Sequence, residues 1–79
     1  SVETMFLKSR KQELVRARQV TMYLLSELTP LSSNKIGKIV GNKDHTTVLH
    51  AIKNIKGQMD VNASFADTIS QLIQEIKVG

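Results

Sequence analysis

The four consecutive residues Asp44-His45-Thr46-Thr47 carry the most concentrated polar chemistry in this chain of 79 residues. Their side chains are short enough to approach a flat, hydrogen-bonding surface closely. A carboxylate such as Asp44 can accept from cytosine N4, an imidazole can donate to a purine acceptor, and a Thr methyl can touch a thymine methyl. A plainer role fits equally well: Asp44 caps a helix through the backbone N–H of Thr46 or Thr47, and the threonines are merely solvated. Other chemistries are poorly served. His45 and His50 are five residues apart, not the three or four that place two imidazoles on one helical face for a metal, and there is no Cys to add a ligand. The stretch Gly37 to Asp44 has one residue too few between its glycines for a phosphate loop, an Asn before the Lys, and no preceding strand. Nothing pairs a Ser, a His and an Asp for nucleophilic attack. Catalysis is not expected.

Apolar residues recur at helical rather than alternating spacing, so the elements that must position these side chains are helices and the chain reads as all-α. A long helix is expected from about Gln12 to Leu28, with Ala17, Val20, Leu24 and Leu28 as its buried stripe. Thr29-Pro30 must end it, because Pro lacks a donor and disfavours helical geometry in the residue before it. A short helix follows from about Ser33 to Val40, capped by Ser32 or Ser33, with Ile36, Ile39 and Val40 facing inward and Gly41 at its stop. The next helix begins at Asp44 and is expected to close at Gly57. Its inner face is Val48, Ile52 and Ile55, and Thr46, His50 and Lys53 form an exposed row opposite. A last helix, from about Asn62 to Lys77, turns Phe65, Ile69, Leu72, Ile73 and Ile76 to one side and serves as support.

Length and charge narrow the class further. A chain this short supports one small domain, and a hydrophobic share of 41% with 23% charged residues is ordinary globular usage. The absence of Cys leaves no disulfide framework and fits a reducing compartment. No uncharged run approaches the ~20 residues needed to span a bilayer. The net charge of +4 is uneven. Residues 1–57 carry a surplus of six positive charges and residues 58–79 a deficit of two, a distribution that favours an anionic polymer as partner.

Two helices joined by Gly41-Asn42-Lys43-Asp44 meet the requirements of a helix-turn-helix, in which the second helix lays its N-terminal residues against base edges. Gly37, inside the first of these helices, is reasonable where a neighbouring helix approaches its backbone. Arg10, Lys11, Arg16 and Arg18 form a second basic group that could follow a phosphate backbone or enter a minor groove. A solvated helix end is the commoner outcome for four basic residues.

The runs Arg16-Ala17-Arg18-Gln19-Val20-Thr21-Met22-Tyr23-Leu24, Glu27-Leu28-Thr29, Ile36-Gly37 and Gly41-Asn42-Lys43-Asp44-His45-Thr46-Thr47-Val48-Leu49-His50-Ala51 closely resemble the C-terminal DNA-binding domain of the bacterial replication initiator DnaA. The resemblance is strong over about Lys8 to Ile55 and loose over the last helix. It implies a single domain that binds the short asymmetric DnaA box of replication origins as one copy. By this resemblance Asp44, His45 and Thr46 read bases in the major groove and Arg10, in a basic loop spanning residues 1–11, enters the minor groove. Arg18, Gln19, Thr47 and His50 match phosphate-contacting positions, and Lys43 stands where the family commonly has Arg beside the recognition helix. The resemblance also implies a bacterial cytoplasmic, nucleoid-associated protein. Its partners would be double-stranded DNA, the remaining domains of the initiator and, for the full-length protein, acidic membrane lipids. No cofactor is expected in this domain; ATP would belong to an AAA+ domain outside this chain.

The sequence departs from the family at several points. Ser33-Asn34 replaces an apolar residue and Pro that touch a thymine methyl, Ser26 replaces a frequent Lys, and Lys35 stands where a Glu often completes a capping box. Only Ser1 to Leu7 precede the basic segment, where the family has a further helix, and the first residue is Ser rather than Met. A fragment truncated at its N-terminus is therefore expected, with Met5 and Phe6 as a remnant of the junction. The rival reading is a basic helical interaction module for acidic partners, in which Met22, Tyr23 and Leu25 serve a neighbouring domain.

Overall fold

The computed structural model describes residues 1–78. These residues form four helices: α1 (Val2–Leu28), α2 (Ser33–Ile39), α3 (His45–Val61) and α4 (Ala63–Val78), with no strand among them. The all-α expectation holds, and two of its boundaries move.

Helix α1 begins ten residues before the expected Gln12 and absorbs the segment read as a basic loop. The apolar stripe that marked its start is a signal of burial, and residues 1–18 are all exposed. What carries the helix outward is propensity: Val2–Leu28 contains no Gly or Pro and is rich in Leu, Met, Lys, Arg, Gln and Glu. Ser1 starts it by accepting from the Thr4 backbone N–H at 3.2 Å, and Glu3 lies in the first turn, at the positive helix end. At ~1.5 Å per residue α1 is about 40 Å long, which accounts for most of the molecule's 44 Å long axis.

Helix α3 continues through Gly57 to Val61 rather than stopping at the glycine. Gly57 does not take the left-handed conformation of a C-terminal stop, and the additional turn lets Met59 pack on the second of two apolar clusters. Asn62 ends α3, and its side chain caps α4 by accepting from the Phe65 N–H at 3.0 Å. Ser32 is the cap of α2, accepting from Lys35 N at 3.2 Å.

Helix α3 is the hub, packing on α1, α2 and α4. Towards its N-terminal end, Val48 and Ala51 close on Met22 of α1 and Ile36 of α2, with Leu25, Leu31, Val40 and Ile52 around them. Towards its C-terminal end, Ile55 meets Tyr23 of α1 and Ile69 of α4. Several expected core positions change. Met22 and Tyr23, which only the rival reading gave to a neighbouring domain, are buried in the core itself. Ala17 is exposed, and Val20, Leu24 and Leu28 are only half-buried. The buried line of α1 passes through Met22 and Tyr23, between the clusters on either side. Ile39, on the last residue of α2, and Ile76, beyond the reach of α3, are largely exposed.

Candidate nucleic-acid interface

The turn between α2 and α3 is fixed by backbone geometry. Gly41 and Asn42 both take left-handed conformations, at φ +78° and +56°, the residue types that tolerate this region best. The chain is thereby bent so that Lys43 N–H donates to the Gly37 carbonyl at 2.7 Å. A Cβ on residue 37 would overlap the Lys43 carbonyl oxygen and lie 3.4 Å from Val48 Cγ2. The close approach expected at Gly37 is therefore real, although it comes chiefly from the backbone of the turn and secondarily from α3.

Asp44 caps α3, its Oδ1 accepting from the Thr47 N–H at 2.9 Å. The Thr47 amide, then the Thr47 hydroxyl, with lesser help from His45 and the Thr46 amide, hold its carboxyl below the ordinary carboxylate range. The group is thus an anion and only accepts. A carboxylate offers roughly four lone-pair sites, so capping leaves acceptor capacity facing solvent, and the two roles expected of Asp44 are compatible. Lys43, Asp44, His45, Thr46 and Thr47 are all exposed at the positive end of α3.

Along α3 the buried side is Val48, Ala51 and Ile55, and the row Thr46, His50 and Lys53 lies opposite, exposed throughout. Leu49, 51% exposed, belongs to this outward surface and was not expected there. Between these two sides Thr47 and Asn54, at i and i+7, form the edge of α3 that faces α1. Asn54 Nδ2 donates to Gln19 Oε1 at 2.6 Å. The bond brings Gln19, 35 positions distant, to the edge that carries Thr47, with His50 one turn from Asn54. Asn54 is a residue that sequence reasoning missed; its i+7 spacing from Thr47 was a legible hint, but its partner on α1 was not.

Helices α1 and α3 run antiparallel, with Met22 near Val48 and Ala51 and Gln19 against Asn54. Beyond that bond a cleft of about 570 Å³ opens between them, lined by Lys8, Lys11 and Arg16 and by the amides of Gln12, Gln19, Asn54 and Gln58. Arg18, exposed, adjoins Gln19 on α1. Arg16 also stacks on α4, its guanidinium 4.5 Å from the Phe65 ring centroid, so it is partly engaged in packing rather than free beside Arg18.

Arg10 is not brought to this group. Because α1 is continuous, Arg10 is helical rather than in a loop, about 180° around the axis from Gln19 and about 12 Å before Arg18. With α1 antiparallel to α3, it lies towards the end of the molecule opposite Asp44. Its nearest charge is Glu13, at 3.7 Å in an exposed pair.

No three His, Asp or Glu side chains gather as a metal site among the described residues, and none of the helices described is long and apolar enough to cross a membrane. Comparison with known proteins bears on this arrangement. Residues 1–55 match the family described as "Bacterial dnaA protein helix-turn-helix". The chain is 51% identical over 70 residues to the chromosomal replication initiator protein DnaA of Bacteroides thetaiotaomicron, covering 89% of this chain and 15% of that protein. It is 54% identical over 65 residues to the protein of the same name from Bacteroides fragilis (82% and 14%). For that from Clavibacter sepedonicus the identity is 43% over 77 residues (98% and 16%). The chain thus spans about one seventh of the length of these relatives. No solved structure matches it.

Proposed function

Because the chain belongs to the bacterial DnaA helix-turn-helix family, we propose that it binds double-stranded DNA and reads a DnaA box, directing a replication initiator to the origin. The observation that carries this reading is the N-terminal turn of α3. A cap, a rigid turn and a row of short exposed side chains present hydrogen-bonding groups where a helix enters a major groove. Asp44, His45 and Thr46 meet base edges. Thr47 and Gln19, along the flank towards α1, and His50, on the outward row beside them, hold the phosphate backbone with Arg18 and Lys43, which sets register without reading sequence. The minor-groove role that the resemblance gives Arg10 is left out of this reading, because Arg10 lies about 180° around α1 from Gln19 and towards the end of the molecule opposite Asp44. One copy binds an asymmetric site. In this reading the chain has no catalytic group and needs no cofactor, and ATP is handled elsewhere in the initiator.

The test is a fluorescence-anisotropy titration of the chain with a DnaA-box duplex and a scrambled duplex at matched salt. Preference for the box is expected. His45→Ala and Thr46→Ala should each erode it, a well-made base contact being worth about 1–3 kcal/mol. Arg18→Ala should weaken both duplexes alike and lower the salt slope by about one. Equal affinity of the unmodified chain for the two duplexes would remove the sequence-reading proposal and favour a basic module for acidic partners.

A further inference from the structure

We infer that Asn54 is a positioning residue for the DNA backbone: it holds the Gln19 amide so that its N–H groups, rather than its oxygen, face a phosphate. The inference rests on the DNA-binding reading above. Its basis is the 2.6 Å hydrogen bond from Asn54 Nδ2 to Gln19 Oε1, the one side-chain to side-chain hydrogen bond joining two helices among the described residues. Both residues lie at the surface where α1 meets the edge of α3 that carries Thr47.

The chemistry of an amide makes this bond directional. A Gln side chain offers one acceptor oxygen and two N–H donors, whereas a phosphate oxygen only accepts. An unrestrained Gln presents either end, and the oxygen end repels an anion. With Oε1 taken by Asn54, the Gln19 donors are turned away from Asn54. The same bond polarises the Gln19 amide and strengthens its N–H groups as donors, since hydrogen bonds in a chain reinforce one another. Lys8, Lys11 and Arg16 line the cleft that Gln19 and Asn54 also border, so an anion drawn to this edge meets a donor already oriented. A Gln on α1 thus acquires its donor direction from a residue on α3.

The test is a double-mutant cycle on the whole chain with Gln19→Ala, Asn54→Ala and the pair combined, read as affinity for the box and scrambled duplexes. Gln19→Ala should weaken both duplexes roughly fivefold, the scale of one net hydrogen bond. Asn54→Ala should weaken both by about two- to threefold through Gln19, and the double variant should be no weaker than Gln19→Ala alone. Thermal unfolding of the same four proteins separates the alternative of a purely structural bond, which would couple the two sites in melting temperature and leave DNA affinity uncoupled. Uncoupled affinity, an unchanged affinity for Asn54→Ala, or an undiminished Asn54→Ala loss in the Gln19→Ala background overturns the inference. If the unmodified chain discriminates between the duplexes while the two losses simply add, only this inference fails. Failure of the unmodified chain to bind either duplex removes the interface reading and this inference with it.

Discussion

Gly37→Ala is expected to destabilise the fold although it places a better helix former inside a helix. The favourable term is about 1 kcal/mol of helix propensity. Against it, the new Cβ would overlap the Lys43 carbonyl oxygen and sit 3.0 Å from the carbonyl carbon. These are backbone atoms, so no side chain can swing away and the turn itself must shift. The shift forfeits the 2.7 Å bond from Lys43 N–H to the Gly37 carbonyl, worth about 1 kcal/mol net, and the crowding adds about 1–3 kcal/mol. The sum is a net loss of about 1–3 kcal/mol. Gly57 supplies the internal control: it too lies within a helix, and a Cβ there meets nothing within 4 Å, so Gly57→Ala should stabilise by roughly 0.5–1 kcal/mol. In a domain of this size each kcal/mol moves the melting temperature by about 4–8 °C. The two substitutions should therefore displace the thermal transition followed by far-ultraviolet circular dichroism in opposite directions. A Gly37→Ala protein melting at or above the unmodified chain would refute the claim that the turn is held by this close approach.

Other expectations follow from the caps and the core. The Asp44 carboxyl is held below its ordinary pKa, so its ionised form contributes stability that is complete above the usual carboxylate range near 3.8 and is lost as pH falls through and below that value. Asn also caps helices, so Asp44→Asn should retain the helix start yet lose less melting temperature on acidification than the unmodified chain; parallel acid profiles would contradict this. Ile69 is 1% exposed against Tyr23 and Ile55, and Ile69→Ala should cost about 2–5 kcal/mol in denaturant unfolding. If α4 is support alone, that variant should discriminate between the two duplexes as the unmodified chain does wherever it remains folded.

Much of the architecture follows from local chemistry alone. Pro30 had to end the first helix, Ser32 or Ser33 had to begin the second and Asp44 the third, and Gly41 marked a tight turn, because capping and backbone sterics act within a few residues. The polar row of α3 was legible because helical spacing places every third or fourth residue on one side. The errors share a cause as well. Apolar spacing reports burial, so it missed the exposed turns of α1 that propensity sustains, and Gly57 was read as a stop where α3 continues with its outward surface open.

What only the tertiary structure decided is which separate segments meet. Met22 and Tyr23 became core because α3 lies against that side of α1, and Arg16 was drawn over Phe65 by the placement of α4. The antiparallel pairing of α1 and α3 set Gln19 beside Asn54 and carried Arg10 away from Asp44. Sequence by itself determined the number of helices, the starts of the three that follow Pro30 and the chemistry at the tip of α3, since those depend on neighbours along the chain. The partners of Gln19 and Arg16 depend on contacts between residues dozens of positions apart, and no local spacing encodes them.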